Sequence, residues 1–67
     1  MGTTIELDNF TYYASLAGNG IWIVKRWERW ATNPDHHMQA LISLPNLRRE
    51  MDARAVVEVA IAQDSWA

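Results

Sequence analysis

The tripeptide Gly18-Asn19-Gly20 constrains this chain more than any other feature. It stands between two runs rich in strand-forming residues, Phe10-Thr11-Tyr12-Tyr13 and Ile21-Trp22-Ile23-Val24-Lys25-Arg26-Trp27. An Asn-Gly pair supplies the two positive φ angles that a tight hairpin turn demands. The spacing therefore predicts a β-hairpin. Side chains alternate along a strand, so Ile21, Ile23, Lys25 and Trp27 share one face, and Trp22, Val24, Arg26 and Glu28 share the other. Upstream, Thr4-Ile5-Glu6-Leu7 reads either as a short strand of its own or as the start of the first long one.

Beyond the hairpin the pattern changes. Thr32 or Asn33 is a suitable N-cap, Pro34 suits a first helical turn, and Asp35 complements the helix dipole. Met38, Leu41 and Ile42 fall at i, i+3 and i+4, which predicts a helix over residues 34–43. Pro45 interrupts it and opens a second helix over residues 46–54, with Leu47 and Met51 on one face. Residues 55–62 are alanine-rich, which favours helix. Yet a helix continued through them sets Val56 and Val59 opposite Leu47 and Met51, whereas a strand aligns Val57, Val59 and Ile61 on one face. The expectation is a strand. The fold class is then α+β in a single domain, residues 1–67, with an N-terminal hairpin and a C-terminal strand completing a small antiparallel sheet. The one or two helices cover one face of that sheet.

A chain of 67 residues makes a thin core. It buries only about 60% of the surface its unfolded form exposes. There is no cysteine to staple it, a usage that suits a reducing cytoplasm. Four tryptophans, two tyrosines and Phe10 supply dense packing or an association surface instead. The longest strictly apolar run, Ile21 to Val24, is far short of a membrane span, so no membrane role is expected. The net charge is −2, and the excess positive charge is local, at Lys25, Arg26 and Arg29, since the three later arginines are balanced by three acids. That is little for a non-specific nucleic-acid binder, whose affinity rests on neutralising many phosphates.

Catalytic chemistry finds no footing. His36 and His37 are adjacent, so on a helix they diverge by about 100° and do not converge on one metal. Glu50 and Asp52 sit at i and i+2, which do not face each other on a helix. Gly18-Asn19-Gly20 lacks the further glycines, lysine and following helix of a phosphate loop. The expectation is no enzyme activity, no metal and no cofactor.

The stretch from Trp22 to Trp30 carries the functional signal, because three tryptophans interleave with three bases. A small fold covers one sheet face, and these rings lie on both. Trp, Tyr and Arg dominate interface hot spots. The reading is a non-catalytic protein-binding module. Tyr13, Trp22, Arg26 and Trp30 are its expected anchors, with Lys25 and Arg29 as rim charges steering a partner with an acidic or apolar surface. A homodimer satisfies the same pattern. Inhibitors and adapters commonly take this form, phage-encoded inhibitors of host defence or transcription among them.

A second register exists. Tyr13-Ala14-x-Leu16-x-Gly18, then Val24-x-Arg26-Trp27-Glu28, then Pro34 resembles the helix-turn-helix of small Cro-like and Xre-like repressors. The resemblance implies that Ala14 lets two helices approach, Gly18 makes the turn, and Val24 and Trp27 bury a recognition helix. Lys25, Arg26 and Arg29 would then face DNA. The chain departs from that pattern at Asn19, where an apolar residue plugs the turn, and at Gly20, where Ser or Thr caps the recognition helix.

Overall fold

The structure, a computed structural model, describes residues 2–31 and 37–67. Four strands run as an antiparallel meander in sequence order: β1 (Gly2–Leu7), β2 (Phe10–Gly18), β3 (Ile21–Glu28) and β4 (Met38–Ser43). Among the described residues a 3-10 turn, Glu50–Asp52, leads into one helix, α1 (Ala53–Gln63). The helix lies over β2, β3 and β4 on one face of the sheet.

The hairpin forms where the turn residues demand it. Leu16 pairs with Trp22 and Gly18 with Ile21, with a bulge between Leu16 and Gly18. Gly18, Asn19 and Gly20 all hold positive φ, at 114°, 54° and 76°. A second tight turn, Asp8-Asn9, joins β1 to β2, with Asp8 at φ 56°. The short upstream strand is therefore separate, hydrogen-bonded antiparallel to β2 from Gly2↔Ser15 to Leu7↔Phe10.

The segments after the hairpin differ from expectation. Residues 38–43 are a strand, not a helix; the first part of the expected helix, residues 34–36, lies outside the described residues. Met38, Leu41 and Ile42 satisfied the helical spacing by coincidence, since Met38, Ala40 and Ile42 satisfy a strand period equally. Only the strand lets residues 38–43 pair with the free side of β3, from Ile21↔Ser43 to Arg26↔Met38. Residues 46–52 are turns and the 3-10 turn rather than a helix, and the expected C-terminal strand, residues 55–62, lies within α1. Val56 and Val59 oppose Leu47 and Met51 only if one continuous helix runs from Leu47. The helix instead starts afresh at Ala53, so the phase of Leu47 and Met51 is irrelevant to it. The helix-turn-helix register is not adopted either, because the residues on both sides of Asn19-Gly20 are extended.

The core forms between α1 and the sheet. Ala53, Val56, Val57 and Ala60 follow the i, i+3, i+4, i+7 spacing and are buried. They meet Tyr12 and Ala14 of β2, Trp22 and Val24 of β3, and Ala40 and Ile42 of β4. Val24 is flanked across the strands by Ala14 and Ala40. Alanine is a poor strand former. Here the two alanines clear a shallow seat into which the alanines and valines of the helix settle. Trp22, 1% exposed, fills the space beside that seat, and its Nε1–H donates to the carbonyl of Leu47 at 2.6 Å.

Past the helix, Asp64 adopts the left-handed conformation at φ 50° and its N–H donates to the Ala60 carbonyl. The turn sends the tail back to the sheet. Ala67 and Gln39 exchange two backbone hydrogen bonds of 2.9 Å each, so the tail covers part of the outer edge of β4.

Candidate binding surface

Alternation sorts every strand residue onto one of two faces. The face away from α1 presents Thr4 and Glu6 from β1, Thr11, Tyr13 and Ser15 from β2, Ile21, Ile23, Lys25 and Trp27 from β3, and Gln39, Leu41 and Ser43 from β4. Among the described residues no element lies over this open face. Its rows follow from the register. Thr4, Tyr13, Lys25 and Gln39 form one row, and Gly2, Ser15, Ile23 and Leu41 the next. Trp27 lies beside Thr11, and Ile21 beside Ser43. Leu41 is 69% exposed and Ile21 38%, while Ile23, Tyr13 and Trp27 are half-buried by their neighbours. The Tyr13 ring also lies against Gly2, where an added Cβ would collide with it. The result is an apolar and aromatic patch with Lys25 near its middle and the Glu6–Arg29 ion pair at its β1 margin.

The six expected partner-binding residues do not form one surface. Tyr13 and Lys25 are directly paired neighbours on the open face. Trp22 is a core residue and offers nothing to a partner. Arg26 lies on the helix side, its guanidinium 4.7 Å from the Phe10 ring centre and 4.4 Å from that of Trp66. Its Nη2 also approaches the sulfur of Met38 at 3.5 Å, while its Nε is buried with no hydrogen-bond partner among the described residues. Arg26 is thus a packed side chain that seals the end of the core where the tail returns, beside Tyr12 and Trp66, whose ring centres lie 6.0 Å from each other. Arg29 and Trp30 stand just past the end of β3. Arg29 reaches Glu6 at 3.3 Å and the Asp8 carbonyl at 3.2 Å, tying the end of β3 to the β1–β2 turn. Trp30 is 74% exposed and lines a shallow groove of about 360 Å3 with Asn9, Phe10 and Glu28.

What the sequence reading missed is Ile21, Ile23, Trp27 and Leu41. Three of them sat on the strand face already assigned to Lys25. The signal that identifies this face as the outer one is the small residues on the other: Ala14 and Ala40 mark where a helix seats.

Arg26 gives a test of packing. Truncating it to alanine removes two ring contacts and a covering stem from the core margin. Arg26→Ala is expected to lower stability by about 1–2 kcal/mol, read as a lower urea midpoint. An unchanged midpoint would show that the stacked arrangement contributes nothing.

The other candidate chemistry is accounted for locally. Asp52 accepts the Arg49 N–H at 3.0 Å and sits at the start of α1, where a carboxylate complements the helix dipole. Glu50 is exposed. His37 is exposed, and His36 lies outside the described residues. Among the described residues there is no group of three His, Asp or Glu placed to hold a metal, and no helix long and apolar enough to cross a membrane. No protein-family model, curated protein or solved structure matches the chain.

Proposed function

We propose that this chain is a non-catalytic protein-binding module of the cytoplasm that docks a partner protein on the open face of its sheet. The observation that carries the reading is the apolar cluster on that face, Ile21, Ile23 and Leu41, with Tyr13 beside it and Trp27 beyond Lys25. Contiguous exposed apolar area on a small domain marks an interaction site. Aromatic anchors held at their bases by neighbours and reachable at their edges suit a hot spot. Lys25 adds selectivity for a partner with an apolar surface and an acidic group placed to meet it. This reading replaces the mixed set inferred from sequence with Tyr13, Ile21, Ile23, Lys25, Trp27 and Leu41. It assigns no catalytic residue, metal or cofactor.

The test places a charge on the face without disturbing the core. Leu41 is exposed, so Leu41→Lys leaves the fold intact, while Met51→Lys makes the same kind of change off the face at a residue 79% exposed. With a partner captured from the source cell, Leu41→Lys is expected to weaken binding by about tenfold or more, and Met51→Lys to bind as the parent does. Equal binding by Leu41→Lys would move the site elsewhere. Binding to an apolar protein face changes little with salt. A steep loss with rising salt would point instead to phosphate contacts and a nucleic acid.

A further inference from the structure

We infer that a second copy of this chain pairs along the outer edge of β1, joining two four-stranded sheets into one of eight strands. This goes beyond the docking reading, because it uses the sheet edge and leaves the open face free. Two independent features lead to it. First, the two edges of the sheet are treated differently. The tail hydrogen-bonds to β4 at Gln39, whereas among the described residues nothing pairs with the outer side of β1. Edge strands in monomers carry protective devices, namely charged side chains, lysine above all, proline, a bulge or short length. The one charge on β1, Glu6, is taken up by Arg29. Gly2-Thr3-Thr4-Ile5-Glu6-Leu7 has no lysine or proline, and its six residues pair with β2 without a bulge.

Second, the inner side of β1 is incompletely covered. α1 packs on β2, β3 and β4 but hardly on β1. Ile5 and Leu7 point to the helix side, yet are only half-buried at the margin of the core. A second β1 laid beside the first brings matching apolar margins together across the seam and closes both. An antiparallel two-fold pairing keeps both helices on one side of the joined sheet. The permitted registers are those that keep side chains on their own face, centred on Thr4 or on Ile5. Glu6 then lies opposite Gly2 or Thr4 of the second copy, so like charges never face each other. The one acid on the strand is in any case already paired with Arg29.

A six-residue edge spans about 20 Å, so the seam is small beside the roughly 1,600 Å2 of a standard interface. The dimer is therefore expected to be weak and concentration-dependent. The experiment is sedimentation velocity on the full chain from about 10 μM to about 1 mM, with amide NMR shifts recorded at both ends of that range. Expected is a rise in sedimentation coefficient toward the dimer value, with shift changes confined to Gly2–Leu7. Ile5→Lys should remain monomeric at the highest concentration, with its circular dichroism confirming that it is folded. A parent chain monomeric throughout would overturn the inference. So would a dimer whose shift changes fall on Ile21, Ile23 and Leu41, since that outcome makes the open face the self-association surface and leaves the β1 edge unused.

Discussion

Trp22→Ala is expected to leave the chain unfolded in dilute buffer at room temperature. Trp22 is the largest fully buried side chain. It lies between Leu16 and Ile42 across the strands and beneath the helix, and its indole N–H satisfies the Leu47 carbonyl in the segment leading to α1. Truncating a buried tryptophan costs about 3–5 kcal/mol through lost burial and the cavity that remains. A domain this small, with no disulfide, has only about 3–5 kcal/mol in total. The cost therefore matches the whole stability. Trp22→Phe separates the two contributions: it keeps most of the apolar contact but strips the Leu47 carbonyl of its donor, worth about 1–3 kcal/mol when the acceptor is buried. It should fold cooperatively with a lower urea midpoint. Far-UV circular dichroism and urea titration read both variants. A cooperative, parent-like transition in Trp22→Ala would contradict the placement of this ring at the centre of the core.

The second large effect belongs to Gly20. Its φ of 76° is unfavourable for any residue with a Cβ. A Cβ there would also sit 2.5 Å from the Cα of Pro45 and 2.9 Å from the carbonyl oxygen of Leu44. The neighbouring chain is held in place, because the Leu44 N–H donates to the Gly20 carbonyl at 2.7 Å. Relief of the clash therefore breaks the bond that fastens the end of β4 to the hairpin turn. Gly20→Ala is expected to cost about 2–4 kcal/mol, the sum of backbone strain and this displacement. Gly18 is the internal control: its φ is 114°, but nothing lies within 4 Å of an added Cβ. Gly18→Ala should cost only the backbone strain of an L-residue at that φ, about 1–3 kcal/mol, and no displacement of neighbouring chain. Thermal melts of the two variants decide the matter, and equal losses would mean that the approach of Pro45 has no energetic weight.

The hairpin was legible in the sequence because its turn requires a backbone geometry that Gly18-Asn19-Gly20 adopt and most residues resist. Strand alternation was legible for the same local reason, and it already separated Lys25 and Trp27 from Trp22 and Arg26. What alternation cannot give is which face becomes the interior. That depends on where α1 docks, a contact between segments about 30 residues apart along the chain. The candidate site consequently mixed both faces, and Trp22 and Arg26 proved to be packing residues while Tyr13 and Lys25 came together outside. The later elements were misread because short apolar runs satisfy two periods at once. Met38-Gln39-Ala40-Leu41-Ile42 fits a helix or a strand equally well. Choosing correctly required knowing that β3 had an unpaired edge to fill. For residues 53–63 the deciding fact was that the chain is irregular from Leu44 to Arg49 and turns helical only from Glu50, so Leu47 sets no phase for α1.

The meander has a consequence for how the molecule comes into being. Every strand bonds to its neighbour in sequence, so the whole sheet assembles through short loop closures that proceed quickly. The helix that covers the sheet comes after all four strands. During folding the chain can therefore hold a nearly complete sheet whose inner surface, with Trp22, Val24, Ala40 and Ile42, is still wet and still adhesive. The interval before α1 docks is when this chain is most exposed to aggregation.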